Sequence, residues 1–297
     1  MVLWKDTAVK FMKDDVDKKI YEYIKNMPSL PTSVVKVLEV CNNPQVSPAD
    51  LNHVISLDPV LVGRVLKLIN SAYYGLGQQV TNLVRAIIML GINTVKNLAL
   101  SSAIMGNFTA NKNVQGLDME GFWRHSLCVG VSSKLMAAKR GIDIKLREEY
   151  FTAGLLHDIG KIPLNAVLKK EYMLTLSTAD RDRISLCQAE ERTLGLDHCN
   201  AGAAIVKAWK LEGAVGDSIT NHHNYSEYSG THDDVLYSVI AANRFASIWD
   251  IGFSGDRHPE KISGFVWDRL GVRQESFNEI ENTVKNEIEK AEIFLKI

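Results

Sequence analysis

Leu155-Leu156-His157-Asp158-Ile159-Gly160-Lys161 closes an apolar run with an adjacent histidine and aspartate, and the reading of the chain works outward from it. Gly160 is able to end a helix, and Lys161 adds a fixed positive charge within reach of whatever the pair holds. Imidazole and carboxylate together suit iron, manganese or zinc, and a nearby lysine suits a phosphate. A two-residue match arises often by chance, so its weight depends on further ligands elsewhere. The chain supplies them: His125 lies upstream, and His198, His222 and His223 lie downstream.

A chain of 297 residues allows one large domain or two packed lobes, with most of its surface buried on folding. Its 46% hydrophobic and 23% charged content is ordinary for a globular protein. A formal net charge of -1 gives no general attraction to nucleic acid or anionic lipid, so neither is an expected partner. Cys41, Cys128, Cys187 and Cys199 have no paired spacing, which suggests reduced thiols and a cytoplasmic location. Lys5, Asp6, Lys10, Lys13, Asp14 and Asp15 interrupt the N-terminus, unlike the apolar core of a signal peptide. No window reaches the roughly 18 apolar residues that a membrane span needs.

Helical periodicity dominates and strand alternation is nearly absent, so the expected class is all-α. Pro31 can open a helix, Ser47-Pro48-Ala49-Asp50 reads as an N-cap with proline in the first position, and Asp58-Pro59 repeats the device. Asn70 to Gly77 is a turn-forming segment. Val84, Ile87, Ile88 and Leu90 then share a helical face, Gly91 caps it, and Ile92 to Met105 forms the next helix. Helix, glycine turn and helix resembles a DNA-reading device, but the neutral charge and missing basic face favour two packed core helices.

The polar stretch Asn107 to Gln115 marks a boundary between two lobes. A long helix is expected from about Asp118 to Arg140 with Gly141 behind it, placing His125 on an inward face with Cys128, Val129, Ser132, Leu135 and Met136. The next, about Leu146 to Ile159, lines up Tyr150, Ala153, Gly154 and His157, and Gly154 lets a neighbour come close. Helix continues after Pro163 through Ser185, Cys187 and Glu190 to a turn at Gly195. Further helices are read from Leu196 to near Trp209, from Asp217 to His223, and from Val235 to Ile248. Ser276-Phe277-Asn278-Glu279 has a capping-box pattern, and Ile280, Val284, Ile288, Ala291 and Leu295 follow as one stripe.

A single buried histidine is more often a hydrogen-bonded core residue than a ligand. The argument here rests on number: His125, His157, His198, His222 and His223 with Asp158 come from several helices of one lobe, as when a bundle lines a metal site from facing helices. Without a common partner, each unsatisfied ring would cost on the order of a kcal/mol or more. His53, His232 and His258 sit in polar or terminal contexts and read as surface residues.

Leu30-Pro31, the Asp58-Pro59 helix with Leu66 to Tyr74, and Ala86-Ile87-Ile88-Met89-Leu90-Gly91 resemble the HDOD domain, the "HD-related output domain" of bacterial signalling proteins. Trp123-Arg124-His125-Ser126, His157 to Lys161, Glu191 to His198, Trp209 and His222-His223 continue the resemblance in order, over roughly residues 20 to 225. It implies an HD-domain-like helical bundle packed on an HDOD-specific N-terminal helical lobe. The division that follows is residues 1–19 as an N-terminal segment, 20–225 as the domain with its lobes meeting near 115, and 226–297 as helices completing the HD-like lobe.

The resemblance further implies metal ligands at His125, His157, Asp158, His198, His222 and His223, with iron or manganese favoured and zinc or nickel accepted. Asp158 and Lys161 are the catalytic candidates, Lys161 matching the lysine that contacts phosphate in related HD-GYP phosphodiesterases. Two departures weigh against catalysis: Asn243 stands where the last HD aspartate is expected, and the Gly-Tyr-Pro element of cyclic-dinucleotide cleavage is missing after His223. The expected function is therefore a bacterial signalling protein with a protein partner and a histidine-rich metal site. The alternative is a metal-dependent phosphohydrolase acting on a nucleotide or phosphodiester, which gives a phosphate-containing small ligand.

Overall fold

The computed structural model describes residues 15–108 and 116–296, whose regular secondary structure is all helical, with no strand among them. Of the expected N-terminal segment 1–19, residues 1–14 lie outside the described residues. Of the expected connector Asn107–Gln115, residues 107 and 108 continue a helix, and the remainder lies outside them.

Short polar caps cut the first third into helices. After α1 (residues 15–26) come α2 (Thr32–Cys41), α3 (Pro48–Ser56), α4 (Pro59–Ile69), α5 (Leu83–Leu90) and α6 (Ile92–Phe108). Ser47 Oγ accepts the Asp50 N–H at 3.2 Å and the Asp50 carboxylate accepts the Ser47 N–H at 2.9 Å, a complete capping box for α3. Asp58 caps α4 by accepting the Leu61 N–H at 3.0 Å, and Ser33 Oγ donates to its other oxygen at 2.6 Å, tying α2 to α4. The Ser33 hydroxyl and the Leu61 N–H hold the Asp58 carboxyl below its usual pKa. Asp58→Ala should therefore lower stability by about 1 kcal/mol, read from the urea midpoint at neutral pH. Because the folded carboxyl is the stronger acid, this contribution is present above about pH 4, the unfolded value, and is lost as pH falls through the folded pKa.

Gly91 caps α5 with φ +89°, and the chain turns directly into α6. Val95, Leu98, Ala99, Ala103 and Ile104 are buried, and α6 packs against α2, α4, α5 and α8. The second helix of the pair thus belongs to the core and has little free face for a DNA groove. Among the described residues no single helix is long and apolar enough to cross a membrane.

The second part of the chain is built on α7 (Met119–Lys139), capped by Asp118, and α8 (Arg147–Leu156). They cross at two glycines: a Cβ on Gly154 would lie 2.8 Å from the Gly130 Cα, so neither position has room for a side chain. The long run expected after Pro163 breaks into α9 (Lys161–Val167), α10 (Lys169–Asp182) and α11 (Leu186–Leu194), with Arg183 in the left-handed region between the last two. Then follow α12 (His198–Trp209), α13 (Ala214–Asn221), α14 (Asp233–Ile248), α15 (Gly264–Leu270) and α16 (Glu275–Ala291). The capping box expected at Ser276 does not form: α16 begins two residues earlier, with Gln274 in the N-cap position and no side-chain cap. Its stripe of Val284, Ile288 and Ala291 is buried and the helix packs back on α7, while Phe277 stacks on Phe245 of α14 at 4.8 Å.

The turn after α4 meets this second part through Tyr73 and Tyr74. Tyr74 donates to Glu148 Oε1 at 2.6 Å, and Lys134, 4.5 Å above the Tyr73 ring, pairs with Glu148 Oε2 at 2.7 Å.

Candidate metal centre

The histidines converge because backbones come unusually close. α8 stops at Leu156, and residues 157 to 160 form a tight turn leading into α9. Gly160 is expected from the sequence to end the helix, but α8 ends at Leu156 and Gly160, with φ -64°, directly precedes α9. Its glycine is required for space. A Cβ there would collide with the His198 carbonyl oxygen and come within 2.6 Å of the Gly202 N, so the first turn of α12 rests directly on it. That contact sets His198 beside His157 and Asp158. His222 arrives as the C-cap of α13 and His125 from the buried face of α7.

His125, His157, Asp158, His198 and His222 are each at most 2% exposed. The tautomers follow from what each ring's far nitrogen meets. His157 Nδ1 faces the Gly154 carbonyl at 2.7 Å, His222 Nδ1 the Ser218 carbonyl at 2.8 Å, and His198 Nδ1 the Glu190 carboxylate at 2.5 Å. Each acceptor holds a proton on Nδ1, leaving the Nε2 lone pair aimed inward. His198 Nε2 and His222 Nε2 are then 3.1 Å apart, and they lie 3.3 and 3.5 Å from Asp158 Oδ1. Three acceptors facing one another in a dry interior repel unless a cation or a proton lies between them. His157 Nε2 and Asp158 Oδ1 have no hydrogen-bond partner at all. Ligands about 2.1 Å from one ion are separated by about 3.0 Å in an octahedron and about 3.4 Å in a tetrahedron, so the residues present fit a single metal ion on the Oδ1 side.

The other Asp158 oxygen is differently occupied. Lys161 Nζ donates to Oδ2 at 2.6 Å and to Ser254 Oγ at 3.2 Å, and His157 Nε2 lies 3.3 Å from the same oxygen. Lys161 is 2% exposed, so its ammonium neutralises the carboxylate from within the core instead of standing open to the cavity. Burial alone pushes the Asp158 pKa up, but His157 and Lys161 outweigh it and hold the group well below the usual carboxylate range. Burial depresses His125 to about 3, and lowers His157 and His223, favouring the neutral imidazoles that a metal requires. Burial opposes charge on His198 too, but the Glu190 carboxylate reverses the outcome and raises its pKa.

His223 and His125 are the outlying candidates. His223 is half-buried, with its ring 4.9 Å from His198 and 4.5 Å from His222, and a ligand atom within 4.8 Å of theirs. It lines an open cavity together with Asn243, Arg244 and Asp256, about 420 Å³ when the solvent at its mouth is included. His125 Nε2 meets Asn243 Oδ1 at 2.9 Å, so the predicted departure at position 243 touches the predicted first histidine.

Several contributors carried no signal that local sequence reading could use. Glu190 accepts from His198 Nδ1, from the His198 N–H at 2.9 Å and, through its other oxygen, from Tyr172 Oη at 2.8 Å. Ser254 and Asp256 come from the loop after α14, held over α7 by the Phe253 N–H donating to the Gly121 carbonyl at 2.9 Å. A carboxylate behind a ligating histidine raises its basicity and fixes its tautomer. Glu190→Gln should weaken metal binding by about 10- to 100-fold, measured by competition against a chromophoric chelator. Unchanged affinity would place the metal away from His198.

The comparisons agree with this fold. One curated relative, an uncharacterized protein of Treponema pallidum (strain Nichols), is 24% identical over 268 residues, and the chain spans 51% of that protein's length. Among solved structures, an HDOD domain protein of unknown function from Geobacter sulfurreducens superposes with a TM-score of 0.74 at 24% identity, covering 93% of this chain and 97% of that one. A candidate phosphohydrolase of Shewanella amazonensis SB2B gives 0.65 at 24% identity over 92% and 97% of the two chains. A candidate signal transduction protein from Marinobacter aquaeolei VT8 gives 0.72 at 21% identity, over 96% and 66%. The HDOD domain itself matches residues 27–225, from the end of α1 through the double histidine, and on that match the chain belongs to the HDOD family.

Proposed function

We propose that this protein is a regulatory member of a bacterial cytoplasmic signalling pathway whose histidine cluster holds one divalent or redox metal and does not turn over substrate. The observation that carries this reading is the buried triangle of His198 Nε2, His222 Nε2 and Asp158 Oδ1, whose 3.1 to 3.5 Å edges match the spacing of ligands around one cation. His157 completes the set from the Oδ2 side and His223 from the cavity. Iron or manganese is favoured by the mixed imidazole and carboxylate donors, and zinc and nickel suit them as well. A metal bound there would tie α8, α12 and α13 together and add stability by linkage. The functional surface is then presented to a protein partner; nucleic acid and membrane are not proposed partners.

A phosphohydrolase acting on a nucleotide or phosphodiester is the second reading, favoured by the open cavity in which Arg244 and Lys261 lie beside His223. When bound, a metal there would supply a nucleophilic hydroxide from water. Asp158 would position it and Lys161 would offset phosphate charge. Against this reading, Lys161 is already bound to Asp158 and Asn243 supplies no carboxylate.

The deciding experiment is elemental analysis of protein purified without chelator or affinity nickel, beside His157→Ala, followed by a screen of phosphodiester substrates. Near-stoichiometric iron or manganese, absent from the variant, with no hydrolysis, is the expected result. Metal-dependent turnover would favour the second reading, and equal metal in both proteins would end the first.

A further inference from the structure

A second polar cavity, which none of the histidines lines, lies where the N-terminal helices α2 and α6 meet α8 and the turn between α12 and α13. Its cavity volume is about 40 Å³, within about 430 Å³ of open space that includes solvent at the mouth. Asn97 of α6 lines it, is 2% exposed, and leaves Nδ2 without a hydrogen-bond partner. A buried amide donor of this kind is unfavourable unless something accepts from it. Lys96 and Lys210 flank it with two ammonium groups, and Glu149 and Glu212 with two carboxylates. None of these four forms an ion pair within 4.0 Å among the described residues, although opposite charges share one cavity.

Lys210 holds φ +53° at the C-terminus of α12, a left-handed conformation that glycine normally takes. Leu38, Leu100, Leu211 and Val215 supply the apolar wall. The turn that carries Lys210 leads into α13, whose other end is His222.

We propose that this cavity is a binding site for a small zwitterion of the α-amino-acid type with a short aliphatic side chain. A carboxylate would accept from Asn97 Nδ2 and the two lysines, an ammonium would donate to Glu149 and Glu212, and the side chain would rest on Leu100, Leu211 and Val215. Donors and acceptors of both signs with an apolar wall match such a molecule, whereas a simple anion would leave the glutamates opposing it.

The test is calorimetric titration and thermal unfolding of the full chain with glycine, L-valine and L-leucine, and with isobutyrate and isobutylamine as the two separated halves of valine. It is run with and without manganese, so that its outcome stands apart from the metal reading. One of the amino acids should bind at a single site and raise the melting midpoint, with neither half matching it. Lys96→Met should weaken binding by about tenfold or more. Asn97→Leu should abolish binding while raising the midpoint of the ligand-free protein by about 2–4 °C, because an unpaired donor has been removed. No binding of the amino acids up to about 10 mM, binding of isobutyrate as tight as that of L-valine, or binding unchanged in both variants would overturn the assignment.

Discussion

Asp158→Asn should empty the centre of tightly bound metal and, in metal-free protein, lower stability by about 3–5 kcal/mol. Two losses combine. Asp158 is the only carboxylate touching the inward Nε2 atoms, with Oδ1 3.3 Å from His198 and 3.5 Å from His222 among the described residues. An amide oxygen in its place is neutral and a much weaker donor to a divalent ion. The same change strands Lys161, whose ammonium is 2% exposed and 2.6 Å from Oδ2. Removing one member of a buried pair leaves the other charge uncompensated, which is the costly case.

The stability loss and the metal loss separate cleanly in the double variant Asp158→Asn/Lys161→Met. There the buried cation is gone as well, so denaturant unfolding should recover most of the stability while elemental analysis still finds no metal. A single variant that keeps its metal would remove Asp158 from the ligand set. In metal-free wild type the carboxyl is a stronger acid folded than unfolded, so its contribution is present above about pH 4 and is lost as pH falls through the depressed folded value.

Local chemistry made much of the helical frame legible before any coordinates. Ser47, Asp58 and Asp118 announce helix starts through side-chain acceptors, and Gly91 and Gly141 announce ends by needing positive φ, at +89° and +79°. These signals act over one turn, so they survive in sequence. Arg183 and Lys210 also hold positive φ, at 51° and 53°, without being glycine, and the break after α10 carries no glycine signal for that reason. Ser276 shows the converse: a capping pattern left unused, in a helix that starts at Glu275 and stacks Phe277 on Phe245.

The site divides the same way. The candidate ligands His157, Asp158, His198 and His222, which the structure brings together, could be read from residue identity, and Gly154 from its place on the face with His157. Glu190, Ser254 and the crowding around Gly160 are tertiary facts: each acts on a residue brought near only by the packing of α9, α11, α12 and the loop after α14. A glutamate eight positions before a histidine on a different helix carries no spacing rule. Gly160 looked like a helix terminator because glycine has two uses, freedom of φ and absence of Cβ, and sequence does not distinguish them.

Asn243→Asp should raise metal affinity by about 10- to 100-fold or add a second bound ion. Asn243 sits in the middle of α14 with Oδ1 2.9 Å from His125 Nε2. An amide oxygen accepts a hydrogen bond, so it keeps the proton on the His125 nitrogen that faces it, and a protonated nitrogen is not a ligand. Aspartate at 243 adds an anionic donor beside the cluster of His125, His157 and Asp158, whose ligand atoms already lie within 4.8 Å of one another. Manganese titration by calorimetry, with the ion count from elemental analysis, measures the gain.

The same variant separates the two functional readings. If the remaining machinery is that of a hydrolase lacking one ligand, filling the site should bring phosphodiester cleavage with it. On the reading favoured above it does not: Lys161 stays locked to Asp158 and Ser254, and the carboxylate gained at position 243 is taken up in holding the ion. The expected result is therefore tighter metal binding without turnover. Hydrolysis that appears with the second ion would make Asn243 the residue that switched an enzyme off.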